Sequence, residues 1–347
     1  MASETVNLKT LSERLGLSQT TVSRALNGFP EVNEKTRDRV IEAARRFNYR
    51  PSANAASLAT GKAWTIGHVI PLTDHRMINP HFSDFIEGAG QTYADQGYDM
   101  LIRPVRLEDQ EKTYRELAGR NRIDGAIVHG PLIDDPRIAL LQEIGLPFVV
   151  HGRSDSGSQD SSWLDVNNKA AFYRATEFLI DLGHTRIALL NGLEIMNFAK
   201  RRRQGFEDAM ADRGLPTDET LITSADMVEP YGYHTALKML ERSYPPSAFL
   251  ASSILVAIGI ARAIADKGLL IGRDVSVLAF DDCLSFLSSA NASTETTYFT
   301  AMRSSIREAG VRTAQILIDA IHSRGEPVQE LWEAQLVVGR TTGPNRN

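Results

Sequence analysis

With 347 residues, 42% of them hydrophobic and 23% charged, the chain has material for two or three folded domains and no disordered or fibrous bias. Its one cysteine, Cys283, excludes an intrachain disulfide framework and a cysteine-rich zinc site; no apolar run reaches the roughly 18–20 residues of a membrane span, and no secretory leader is legible, so a reducing cytoplasm is expected. The net charge of −5 argues against nucleic acid, but residues 1–62 carry ten Lys and Arg against six Asp and Glu, leaving a small basic head on an acidic body.

The spacing predicts three short helices in the head. The first covers Leu8–Leu15, with Leu8, Leu11 and Leu15 on one face, and Gly16 ends it. Ser18 is a suitable N-cap for a second helix over Gln19–Leu26, whose inner face is Val22, Ala25 and Leu26. Asn27-Gly28 and Pro30 make the turn, and Asn33 caps a third helix running to about Phe47. Two short helices joined by a glycine turn and braced by a third form a helix-turn-helix unit, though an ordinary three-helix bundle reads the same way on pattern alone. In the first reading Gln19, Thr20, Thr21, Ser23 and Arg24 of the second helix face the major groove, where glutamine bonds adenine and arginine bonds guanine.

The run from Leu17 to Gly28, Leu-Ser-Gln-Thr-Thr-Val-Ser-Arg-Ala-Leu-Asn-Gly, resembles the recognition-helix signature of the lactose-repressor (LacI/GalR) family, as do Thr36-Arg37 and Asn48-Tyr49-Arg50-Pro51. The resemblance implies DNA contacts from Leu8, Ser18, Gln19, Thr20, Thr21, Ser23, Arg24, Asn27, Asn33, Thr36, Tyr49, Asn54 and Leu58. It also gives a role to residues 51–62, which alone read as a linker of small residues. In the family this segment becomes a helix on the operator and wedges a leucine into the minor groove, and Leu58 stands at that position. Ala56 replaces an arginine common two residues earlier, which removes one phosphate contact.

From Trp64 onward strand-like and helical stretches alternate. Strands are predicted at Thr65–Ile70, Asp99–Arg103, Gly125–His129, Phe148–His151, Ile187–Leu190, Ala248–Ala251 and Val275–Phe280. Helices are predicted at Asp84–Gln96, Glu108–Gly119, Ile138–Ile144, Lys169–Leu182, Lys200–Arg213, Gly232–Arg242, Val256–Lys267 and Ile306–Ser323. Such alternation implies βαβ units with parallel sheets covered on both faces, and ligands beyond the carboxyl ends of the strands. The fold class is thus α/β, with an N-terminal three-helix head. The elements Gly183-His184-Thr185-Arg186, Arg202 with Gly205-Phe206, Asp274–Val277 leading to Phe280-Asp281-Asp282, and Val338–Thr342, read as a closing strand, extend the resemblance over nearly the whole chain. They imply a two-lobed body like that of periplasmic sugar-binding proteins, spanning residues 63–342 before a short tail at 343–347.

A polyol needs bidentate polar partners and aromatic walls. Arg202 and Asp281 stand where the family places its effector arginine and aspartate; His129 and Arg153 end strands on the cleft side, and Phe82 can stack on a ring. Two departures bear on the ligand: Ser253-Ile254 replaces an Asn-Asp pair, and Asn167 replaces an aspartate before Asn168. No metal-ligand spacing, nucleophile elbow or Walker loop occurs, so neither an enzyme nor a bound cofactor or metal is expected. The missing leader and basic head oppose a periplasmic capture protein. The expected partners are a palindromic operator, a second copy of the chain and a small-molecule effector. A sugar is favoured, with a glucoside as a narrower choice and purines as the alternative.

Overall fold

The structure is a computed structural model, and it describes residues 7–26, 28–47, 49, 61–72, 80–157, 159–280, 284–285, 297–323 and 325–346. The chain divides into two compact units, Met1–Trp64 with Arg120–Ile123, and Thr65–Gly119 with Asp124–Asn347.

In the first unit the helices are α1 (Leu8–Leu15), α2 (Gln19–Leu26) and α3 (Glu34–Arg46). Asn7 caps α1 by accepting from Thr10 N, and Gly16 closes it in the left-handed region at φ 64°. Asn33 caps α3 by accepting from Thr36 N at 2.9 Å. Leu11, Val22, Ala25 and Val40 form a small sealed core between the three helices.

The second unit is two lobes. The first carries a six-stranded, all-parallel sheet of β1 (Thr65–Pro71), β2 (Asp99–Val105), β3 (Gly125–His129), β4 (Phe148–His151), β5 (Ser162–Val166) and β11 (Gln329–Trp332), in the order β11-β5-β4-β3-β1-β2. The second carries β6 (Ile187–Asn191), β7 (Ile222–Ser224), β8 (Ala248–Ala251), β9 (Ser276–Phe280), β10 (Thr300–Arg303) and β12 (Gln335–Val337), in the order β12-β10-β9-β8-β6-β7, parallel except where β12 meets β10. The central strands are buried along their whole length, because helices cover both faces. The chain passes between lobes after Val166, after Arg303 and after Trp332, so both are built from discontinuous segments.

Among the described residues eight helices cover these sheets: α4 (Pro80–Asp95), α5 (Gln110–Gly119), α6 (Pro136–Glu143), α7 (Asn168–Asp181), α8 (Asn197–Asp212), α9 (Glu229–Leu240), α10 (Ile254–Asp266) and α11 (Ile306–His322). Three pairs pack through glycine. A Cβ on Gly205 of α8 would lie 2.1 Å from Lys169 O at the start of α7; on Gly259 of α10, 2.2 Å from Glu229 O of α9; on Gly310 of α11, 2.1 Å from Phe85 O of α4. Backbone sits where a side chain would go, so Gly259→Ala is expected to force the helices apart at about 1–3 kcal/mol. Urea denaturation reads this directly, and an unshifted midpoint would mean that the pair yields freely.

The predicted strands are present, with ends shifted by up to two residues. Among the described residues five others, β5, β7, β10, β11 and β12, were not predicted: each has three to five residues, and β7, β11 and β12 lie at sheet edges. Val338–Thr342 is not a strand. It runs past β9 and is tied by Val277 N to Thr341 O at 2.7 Å and by Arg340 N to Tyr298 O at 2.8 Å. The expected tail at 343–347 is also partly built in, since Gly343 N donates to Ser276 Oγ and Asn345 N to Leu182 O. His184 organises this closure, its Nδ1 lying 2.9 Å from Ser247 Oγ and its Nε2 2.9 Å from Ser276 Oγ. Among the described residues no helix is long and apolar enough to cross a membrane.

Candidate functional site

In the head, Ser18, Gln19, Thr20 and Arg24 are exposed along one end and face of α2, while Thr21 and Ser23 are half-buried. Ser18 Oγ accepts from Thr21 N at 3.1 Å, which caps α2 and aims its first turn outward. Not every basic side chain is available to phosphate: Arg37 donates to Phe29 O and Val32 O, Arg39 to Leu15 O, and Arg14 stacks over Phe47. Leu8 and Tyr49 pack against the head's core, so each offers only part of its side chain to a partner. Asn33 Oδ1 is engaged in the cap of α3 by the backbone N–H of Thr36, a bond that does not use the Thr36 side chain. Asn27, Asn54 and Leu58 lie outside the described residues.

In the body, a cavity of about 340 Å³ opens between the lobes at the carboxyl ends of the strands. The first lobe supplies His81, Phe82 and Phe85 from α4, His129 from the end of β3 and His151 from the end of β4. The second supplies Leu193, Met196 and Phe198 after β6, Asp226 and Met227 after β7, and Leu255 of α10. His129 and His151 come together because β3 and β4 pair in register at exactly those residues' positions, His129 opposite His151. Phe82 and Phe85 meet the His129 ring edge-on at 5.3 and 4.9 Å.

The histidines are held neutral. Burial depresses His68, behind the wall, to about 3. Burial again dominates at His151 and His81, each lowered to about 4, with the Arg202 cation also acting on His81 and Asp84 opposing it. His129 lies well below its ordinary value for the same reason, reinforced by His68, His151 and Arg137. Among the described residues no group of three His, Cys, Asp or Glu could hold a metal. Among the described residues the lining combines uncharged imidazoles, aromatic rings and one carboxylate, Asp226, which suits hydroxyl-rich ligands with apolar ring faces.

Of the expected effector residues, Phe82 and His129 line this cavity, and Asp281 lies outside the described residues. Arg153 does not line it: its Nε donates to Asp165 at 2.8 Å and its guanidinium covers Trp163. Arg202 does not line it either. Only 6% exposed, it donates from Nε to Asn168 Oδ1 at 2.8 Å and from Nη1 to Ser252 O at 2.7 Å, against the rings of Phe280, Phe198 and Phe172. The residues at both sequence departures have structural roles: Ser253 caps α10 and Ile254 enters the second lobe's core, while Asn167 caps α7.

Sequence reading missed His81, His151 and Asp226. His151 was legible as the last residue of a strand adjoining the one that ends in His129; Asp226 had no comparable signal. Beside the cavity the lobes are pinned by Asp155, whose carboxylate accepts from Asn197 Nδ2, Lys200 Nζ and Arg201 Nη2 at 2.8–3.0 Å.

Residues 63–334 match the family of periplasmic binding proteins and sugar binding domain of LacI family, and residues 8–52 match bacterial regulatory proteins, lacI family. The HTH-type transcriptional regulator AglR of Rhizobium meliloti (strain 1021) is 46% identical over 340 residues, 98% of this chain and 95% of that one. A transcriptional regulator CelR–cellobiose complex superposes at a TM-score of 0.70 and 26% identity, covering 97% of this chain and 99% of that one. The lac repressor dimer bound to operator and the anti-inducer ONPF shares the fold, with a TM-score of 0.83 at 24% identity over 98% of this chain and 100% of that one.

Proposed function

The chain belongs to the lacI family of bacterial regulatory proteins, and from that premise we propose a homodimeric, cytoplasmic repressor that a sugar releases from a palindromic operator. Such a protein is a DNA-binding transcription regulator and not an enzyme. Residues 1–50 read the operator, 51–62 form the hinge with Leu58 as its minor-groove wedge, and the body senses the effector.

The observation that carries the effector half is the inter-lobe cavity walled by neutral histidines and aromatic rings. The CelR neighbour's complex with cellobiose supports a saccharide there, and a disaccharide is the size class we favour. Phe82 and His129 contact it directly; the family pattern adds Arg202 and Asp281, while Arg153 is held by Asp165 outside the described lining. Sugar binding shifts the lobes, separates the two hinges and ends the groove contacts. A tenfold loss of operator occupancy needs about 1.4 kcal/mol of differential binding, and DNA must weaken sugar binding by the same factor.

The test is a gel shift of the full chain on its own promoter region, with and without cellobiose, maltose and melibiose. Release by at least one is expected; unchanged retardation with all three would remove the sugar-induced reading. On the same DNA, Gln19→Ala and Arg24→Ala are each expected to cost about 1–3 kcal/mol of operator affinity. Undiminished binding by both variants would take α2 out of the major groove.

A further inference from the structure

We propose that Tyr93 and His68 fix the tautomer of His129 so that it presents an Nδ1–H to the cavity, where it donates to an acceptor oxygen of an uncharged effector. This rests on the reading that the effector occupies the inter-lobe cavity. The three side chains form one line inward from the cavity wall. His129 Nε2 lies 2.9 Å from His68 Nδ1, and His68 Nε2 lies 3.2 Å from Tyr93 Oη.

The direction of these bonds follows from the buried end. Tyr93 is 1% exposed, and His68 Nε2 is its hydrogen-bond partner. Were His68 to donate from Nε2, the phenol proton would be left buried without an acceptor, a costly state. Tyr93 therefore donates, and His68 Nε2 accepts. A neutral imidazole carries one proton, so that of His68 is on Nδ1 and goes to His129 Nε2. His129 must then carry its own proton on Nδ1. Among the described residues that nitrogen has no hydrogen-bond partner, and the ring lines the cavity. Tyr93 and His68 touch no ligand themselves and are positioning residues; His129 is the contact that selects.

Such a donor suits a hydroxyl or ring oxygen and does nothing for an ammonium or another N–H pointed at it. The site therefore discriminates by hydrogen-bond polarity at this point, with the apolar rings of Phe82 and Phe85 flanking it.

The experiment is imidazole nitrogen NMR on the full ligand-free chain, joined to calorimetry with cellobiose, maltose and melibiose. His129 is expected to show a protonated Nδ1 and a bare Nε2, and Tyr93→Phe to mix the two tautomers and weaken the best binder about tenfold. His129→Asn, whose amide nitrogen overlays Nδ1, should retain more affinity than His129→Gln, whose amide nitrogen overlays Nε2. This pair tests the proposal even where Tyr93→Phe fails to fold. An Nε2–H signature in the wild type, or Gln outperforming Asn, overturns the proposal while leaving the sugar reading intact. No binding of any disaccharide by the wild type, with the expected tautomer present, overturns the sugar reading and the ligand half of the proposal with it.

Discussion

Acidification from about pH 7.5 to about 5 is expected to lower the melting temperature of the body steeply, because buried His68 and the half-buried cavity residues His81, His129 and His151 are held uncharged. In the unfolded chain each titrates near 6.5. In the folded chain His68 is lowered to about 3, His81 and His151 to about 4, and His129 well below its ordinary value. Below 6.5 the unfolded state therefore takes up protons that the native state refuses. Stability is complete above about 6.5 and falls as pH drops toward about 4, by up to about 1.4 kcal/mol per unit for each histidine. The Asp155 latch does not add to this loss: burial alone would raise its carboxyl, but Lys200, Asn197 and Arg201 hold it below the ordinary range, so it stays ionised throughout. Scanning calorimetry of the full chain checks the slope, and His151→Asn should flatten it. Equal melting temperatures at both ends of the range would mean that the cluster takes up protons in the folded state.

The second large effect is expected at Arg202. Truncation to alanine should destabilise the body by about 3–5 kcal/mol, from two buried acceptors left unpaired and a desolvated cation removed from three aromatic faces. On sequence alone the same substitution is expected to silence the effector response and leave the fold untouched. The bonds from Nε and Nη1 overturn that part, since they join α8 to the start of α7 and to the end of β8. Arg202→Lys should not rescue, because an ammonium cannot reproduce a planar fork or stack between rings. Urea midpoints of both variants decide the matter. A wild-type midpoint in Arg202→Ala, with the sugar response gone, would return this guanidinium to a ligand-only role. The neighbours do not substitute: Arg201 is held by Asp155, and Arg203 by Glu194, Glu207 and Glu219.

The sequence by itself determined the head, its three helices and their caps, because each is a local matter: apolar spacing, an Asn or Ser at the first turn, a glycine at the stop. It also determined that the body is α/β with parallel sheets, since the runs Ile187–Leu190 and Ala248–Ala251 are apolar on both faces. The glycines of its recognisable motifs were visible too, but their reason was not. Gly205 and Gly259 are required because another helix's backbone occupies the space of their missing side chains, a contact between elements dozens of residues apart. The effector site depended most on tertiary structure. Arg202 and Arg153 look in sequence like cleft residues, yet their guanidiniums turn to Asn168, Ser252 and Asp165 and are held there. His151 and Asp226 reach the cavity only because parallel strands in two lobes end at the same gap. A charged side chain's partner is set by whichever group the fold brings within about 3 Å. No local pattern encodes that distance.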